Sequence, residues 1–268
     1  MLATLLLNLA GLPSGDHVLS IRATNDTIIH VPELLNTSKP TPIVLALHGL
    51  GDNYPDLFQK QIQMDSVAQY ENFVVVYPLG SPSISVALAG HTWNGGKCCF
   101  SKADDTTFLR SVVNRTSALI NVDRRRVYAF GFSAGGVMSH TLGCTAADVF
   151  AAVASVDGPI EVSEPCAPVR PMPVLHFHGT LDPVFPYHGT AIYNGADQTL
   201  AAWKTVDNCT GAAVNTTLSP RVHIAAYAGV ASEVQLATVN AGGHNMPPEN
   251  AHPEEYIYTF LSRWQLPA

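Results

Sequence analysis

Six apolar runs in this chain are dense where half-buried strands would alternate: Ile43 to Leu47, Phe73 to Tyr77, Val127 to Phe132, Ala151 to Val156, Val174 to Phe177 and Val234 to Val239. A strand with one wet face shows apolar and polar residues in turn, so runs of this kind describe strands covered on both faces and a largely parallel sheet. Helix-period segments accompany them: Lys60 to Tyr70, Asp104 to Asn121, Ala134 to Cys144, Thr199 to Val206 and Pro253 to Trp264. Right-handed strand–helix–strand crossovers then predict an α/β fold, a doubly wound and mostly parallel sheet flanked by helices. An antiparallel hairpin, His17 to Arg22 with Thr27 to Val31, precedes the first core strand, and the Pro-rich stretch Gly158 to Pro173 reads as a loop or lid.

The chain has 268 residues, 47% apolar and 13% charged, which suits one well-filled domain over residues 13–268. Residues 1–12 read as a remnant signal or a disordered N-terminus, because the apolar run there has no Lys or Arg ahead of it. No stretch approaches the roughly 20 apolar residues that span a bilayer. The net charge of −7 argues against nucleic acid or an anionic membrane as partner, and a monomer acting on a neutral or weakly polar substrate, small or polymeric, is expected. Five Asn-x-Ser/Thr sequons, at Asn25, Asn36, Asn114, Asn208 and Asn215, point to a secreted glycoprotein.

Five cysteines allow at most two disulfides. The adjacent pair Cys98-Cys99 is expected to send its sulfurs to different partners, one of them Cys144, with Cys166 joined to Cys209. No Cys/His cluster has zinc-ligand spacing, so neither metal nor cofactor is expected.

Ligands of doubly wound sheets bind at the carboxyl ends of the strands. Four such ends carry reactive residues: His48-Gly49-Leu50-Gly51-Asp52, Ser133, His178-Gly179-Thr180-Leu181-Asp182-Pro183, and Gly242-Gly243-His244-Asn245. Ser133 lies within Gly131-Phe132-Ser133-Ala134-Gly135 between a strand and a helix, the context of a nucleophile elbow. A serine hydroxyl needs an imidazole to take its proton and a carboxylate to fix that imidazole's tautomer. His244 is the candidate base and Asp182 the candidate acid, in the chain order Ser, Asp, His of hydrolases on this fold. Asp157, after the strand that follows the elbow, is the rival acid. His48, His176 and His178 read as hydrogen-bonded scaffold, and His91, His140, His188 and His252 as surface or supporting residues. Asp104-Asp105 reads as the cap of a helix.

Five blocks carry a resemblance: Leu47-His48-Gly49-Leu50-Gly51-Asp52, His91-Thr92-Trp93-Asn94-Gly95-Gly96-Lys97-Cys98-Cys99, Gly131 to Gly136, His178 to Asp182, and Gly242 to Pro247. In order and spacing they resemble the secreted polyhydroxybutyrate depolymerase and feruloyl esterase-like group of α/β-hydrolases. The resemblance covers nearly the whole chain, and Trp-Asn followed by Cys-Cys is its most particular part. It implies a serine esterase acting on feruloyl, acetyl or hydroxyalkanoate esters, with Ser133, Asp182 and His244 as triad. It also implies the N–H groups of Leu50 and Ala134 as oxyanion hole, and Trp93 as either a substrate-facing residue or a packing residue. The chain departs from the group at Asn25-Asp26-Thr27, where an arginine is usual, and at Asn245-Met246-Pro247, where an aromatic precedes the proline. A non-catalytic binding protein and a serine peptidase on the same fold are the alternatives.

Overall fold

The computed structural model describes residues 12–23, 26–36, 38–85, 87–96, 98–162 and 165–268. The expected N-terminal segment 1–12 and the sequon at Asn25 lie almost wholly outside them. In chain order the elements are β1 (Gly15–Leu19), β2 (Thr27–Val31), β3 (Thr41–Leu47), α1 (Pro55–Gln61), α2 (Met64–Glu71), β4 (Val74–Pro78), β5 (Ser81–Pro82) and β6 (His91–Thr92). There follow α3 (Asp105–Ser117), β7 (Val122–Phe132), α4 (Ala134–Thr145), β8 (Ala152–Val156), β9 (Val174–Gly179), α5 (Ala196–Val206), β10 (Val214–Ser219), β11 (Val222–Ala228), β12 (Glu233–Val239) and α6 (Pro253–Ser262).

Ten strands form one sheet in the order β1-β2-β4-β3-β7-β8-β9-β12-β11-β10, while β5 and β6 pair separately. The six central strands, β4 to β12 in that order, pair in parallel. Antiparallel strands close both edges. Side chains along β3 go alternately to two separate cores: Ile43, Leu45 and Leu47 to one, Val44 and Ala46 to the other. Both cores are covered by helices, so every position of the strand gains from burial, about 1.5–3 kcal/mol for each large aliphatic side chain. That explains why the run is unbroken.

Three local features differ from expectation. The hairpin leaves β1 after Leu19 because the Asp26 carboxylate gathers the N–H groups of Ile21, Arg22 and Ala23 at 2.9, 2.6 and 2.6 Å. The segment expected as one helix from Lys60 breaks into α1 and α2 at extended Ile62. Ile62 and Met64 are both buried in the core that holds Phe58. Two residues apart on a continuous helix they would lie roughly 200° apart, so only a break lets both face inward. The third feature is the hairpin β10–β11, whose residues are mostly exposed or half-buried and so carry no dense apolar run.

Neither expected disulfide pairing forms. Cys98 bonds to Cys99, and Cys144, at the end of α4, bonds to Cys166 across a Cα separation of 5.0 Å. Cys209 stays a buried thiol beyond α5, directed at the Tyr227 carbonyl at 3.5 Å. The Cys144–Cys166 bond ties the Pro-rich stretch, whose described residues form neither helix nor strand, to the helix behind the elbow.

Candidate active site

Ser133 stands between β7 and α4 with φ 54° and ψ −118°, a strained conformation for a residue with a Cβ. Its N–H donates to the Val156 carbonyl at 2.8 Å, locking the turn to the neighbouring strand. The turn is feasible only because flanking residues lack side chains. A Cβ on Gly131 would strike the Gly135 carbonyl, and one on Gly135 would strike the Leu47 carbonyl. The elbow is thus pressed against the end of β3, where the loop from His48 to Asp52 begins.

The imidazole of His244 bridges the serine and a carboxylate. Its Nε2 lies 2.8 Å from Ser133 Oγ and its Nδ1 2.8 Å from Asp182 Oδ2. The second Asp182 oxygen accepts the N–H groups of Val184 at 2.7 Å and Phe185 at 2.9 Å. Burial pushes the Asp182 carboxyl up, but His244 and these two N–H donors outweigh it and hold the group below its ordinary range. Asp182 is therefore a carboxylate at neutral pH, the species that keeps a proton on Nδ1 and leaves Nε2 free to accept the serine's. The rings of Phe132 and Phe185 flank His244, at 5.1 and 6.0 Å between centroids.

Asp157 has a different task. One oxygen accepts the Gly179 N–H at 2.9 Å and the other accepts the Asn245 N–H at 3.0 Å, so it grips the main chain beside His244 and leaves the ring to Asp182. Burial, with repulsion from Asp182 behind it, raises its pKa to about 7 despite those donors.

Trp93 belongs to the packing alternative: it is fully buried, and its indole N–H donates to the His48 carbonyl at 2.9 Å. It cannot face substrate from there. Its neighbour His91 exchanges main-chain hydrogen bonds with Gly51 and Asp52, at 3.0 and 2.8 Å. The block around the tryptophan thus clamps the loop that carries Leu50. His48 is likewise scaffold: its ring accepts the Gly80 N–H at 2.9 Å, and burial lowers its pKa to about 4. Next to that block, Asp104 caps α3 by accepting the Thr107 N–H at 3.0 Å. Asp105 is buried, pairs with Arg22 and accepts the Asn94 N–H at 2.7 Å. His140, expected as a surface or supporting residue, is completely buried.

Leu50 and Ala134, the expected oxyanion donors, follow Gly49 and Ser133 in the chain. Gly49 lies directly against Phe132 and Ser133, and Ala134 opens α4, where the first N–H groups have no intrahelical partner. Met246 and Pro247, the departure after His244, line a cavity of about 710 Å³ between α2 and α6. Asp157, His178 and Asp182 present potential ligand atoms within 4.8 Å of one another. Every one of those carboxylate oxygens, however, already accepts a hydrogen bond from the protein. A hydroxyl, an imidazole and a carboxylate thus meet beyond the carboxyl ends of β7, β12 and β9, an arrangement with the chemistry for acyl transfer through a serine.

A family model described as "Putative esterase" matches residues 21–252. The chain belongs to this esterase family. Feruloyl esterase B of Piromyces equi is 30% identical over 230 residues, covering 81% of this chain and 42% of that protein. A bifunctional acetylxylan esterase/xylanase of Neocallimastix patriciarum is 33% identical over 159 residues, 59% of this chain and 22% of that protein. The chain thus spans less than half the length of these two relatives. Among solved structures, the acetyl xylan esterase from Aspergillus awamori superposes with a TM-score of 0.65 at 15% identity, over 88% of this chain and 93% of that one, a likeness of fold. The doubly wound, mostly parallel sheet expected from the apolar runs, and the α/β-hydrolase fold implied by the resemblance, are what this esterase family member has. No helix among the described residues is long and apolar enough to cross a membrane.

Proposed function

We propose that this protein is a serine carboxylic ester hydrolase of the feruloyl or acetyl type, with Ser133 as nucleophile, His244 as general base and acid, and Asp182 as the carboxylate that orients it. The observation that carries the reading is the imidazole of His244 held at 2.8 Å from both partners beside a strained elbow. Ser133 Oγ attacks the ester carbonyl while His244 Nε2 takes its proton. The N–H groups of Leu50 and Ala134 receive the oxyanion. The imidazolium, stabilised by Asp182, then protonates the departing alcohol, and a water activated by the same nitrogen releases the acid. The names of the relatives support feruloyl and acetyl esters as the substrate class.

Purified protein assayed on short-chain nitrophenyl esters, methyl ferulate, acetylated xylan and hydroxybutyrate oligomers tests this directly. Ser133→Ala should lower turnover by about 10⁵–10⁶-fold. A variant that keeps a tenth of the activity removes the nucleophile assignment, and a strong preference for hydroxybutyrate oligomers replaces the substrate class. Secretion is part of the same proposal. The Cys144–Cys166 bond suits an oxidising compartment, and the sequon asparagines 36, 114, 208 and 215 are all exposed. Protein secreted from a eukaryotic host should lose mass on treatment with an N-glycanase.

A further inference from the structure

Behind the acid loop lies a row of buried polar rings that the acyl-transfer reading does not use. The Trp203 indole N–H on α5 points at His140 Nδ1 on α4 at 3.0 Å. His140 Nε2 is 3.3 Å from His176 Nδ1, and His176 Nε2 is 2.9 Å from His178 Nδ1, both on β9. His178 Nε2 ends the row 2.7 Å from the Phe185 carbonyl. All four side chains are at most 3% exposed.

The proton positions follow from the two ends. An indole nitrogen only donates and a carbonyl oxygen only accepts, so each imidazole must carry its single proton on Nε2 and accept on Nδ1. A second proton on any ring would put two N–H groups face to face. Burial also opposes charge here, lowering His140 to about 3, His176 well below its ordinary value and His178 in the same direction. The row is therefore neutral and polarised in one sense, with every N–H pointing toward the acid loop.

Its last link is what matters for catalysis. Phe185, whose carbonyl receives the His178 proton, gives its own N–H to Asp182, and His178 Nε2 stands 3.7 Å from Asp182 Oδ2. The same peptide segment is gripped on one side by the row and on the other by the carboxylate. We propose that His178, His176, His140 and Trp203 form a positioning unit for Asp182, fixing the 182–185 turn so that the carboxylate meets His244. Cooperative polarisation along such a row strengthens the final N–H donor beyond what an isolated imidazole would give.

The inference rests on the serine hydrolase reading, and the experiment separates the two. Ser133-dependent hydrolysis of 4-nitrophenyl acetate by the unaltered protein establishes the reading first; without it, that reading fails, whatever the row does. His178→Leu then removes the donor to Phe185 at similar volume, and His178→Gln retains an N–H at the matching distance. With competent serines counted by organophosphate titration, His178→Leu should lower kcat by about ten- to a hundredfold with KM within about twofold. His178→Gln should recover kcat to within about fivefold of the parent. Val153→Ala, a core variant outside the row with comparable loss of melting temperature, should leave kcat unchanged. In ¹⁵N spectra of the parent at neutral pH, three histidines should show the Nε2–H tautomer, and Trp203→Phe should shift the His140 Nδ1 resonance toward that of an unbonded nitrogen. Full kcat per titrated serine in His178→Leu, failure of His178→Gln to recover any of the loss, or Nδ1–H tautomers in the row would each overturn the inference.

Discussion

The two halves of the candidate site are built by different physics. At Ser133, geometry is set by shape: the residue is held by a backbone turn, and the space around it exists because Gly131 and Gly135 have no Cβ. Around His244 and Asp182, geometry is set by hydrogen bonds: Asp182, Asp157 and the histidine row hold loops that have no regular structure of their own. A shape-built region tolerates changes of polarity and fails on added volume. A bond-built region does the reverse, and substitutions that change only one property can separate them.

The largest effect should come from Asp182→Asn, which keeps volume and removes charge. The amide cannot fix the productive tautomer of His244, and the corresponding change in the serine-protease triad costs about 10⁴ in turnover. We expect a loss of about 10³–10⁴ in kcat with a melting temperature within a few degrees of the parent. A loss under tenfold would move the acid's role elsewhere, with Asp157 next in place. Second comes Gly135→Ala, which adds one methyl and no polarity. The new Cβ meets the rigid carbonyls of Leu47 and His48, so the elbow must open. A stability loss of at least about 3 kcal/mol in urea unfolding is expected, and an unchanged midpoint would show that the elbow is not set by shape.

Asp157→Asn probes the bond-built side through pH. The folded pKa of Asp157 is raised to about 7, above its unfolded value, so the folded protein holds this proton more tightly than the unfolded chain. Its contribution is fully present below about pH 4 and is lost as pH rises toward 7, with a slope of at most about 1.4 kcal/mol per pH unit. Asparagine shares the neutral charge of the protonated form, though its amide nitrogen cannot accept the second N–H, so the variant should be less stable overall but lack that slope, with kcat within about tenfold. Parallel stability curves for the two proteins between pH 4 and 7 would contradict the assignment.

The same division decides what the amino-acid sequence reveals. The parallel core was legible because both faces of each strand are buried, which leaves the dense runs of β3 and β4 in plain view. The hairpin β10–β11 was not, because Asn215, Thr216 and Thr217 face solvent and a strand without a buried face has no hydrophobic period. Ser133, Asp182 and His244 could be singled out because each stands just beyond a core strand. The histidine row was hidden for the opposite reason. Its members come from α4, β9 and α5, and only His176 and His178, two apart on one face of a buried strand, left a trace. Disulfide partners depend on loop paths that local chemistry does not encode, so Cys144 and Cys166 could not be matched in advance.

Trp93 gives the smallest and most discriminating test, because it lies where the two kinds of construction meet. Its ring fills the core beneath β3 while its N–H holds the His48 carbonyl, the start of the loop that presents Leu50. Trp93→Phe keeps most of the apolar volume and leaves that buried carbonyl without its donor, a cost of about 1–3 kcal/mol. Stability should fall by that amount, and kcat should fall a few-fold equally for acetyl and feruloyl esters, since a displaced oxyanion donor weakens the transition state of either. A substrate-contacting tryptophan would instead change KM for one acyl group and leave the unfolding midpoint where it was. That pattern would return Trp93 to the pocket wall and show that the loop from His48 to Asp52 is held by packing, as the elbow is, with no contribution from the indole N–H.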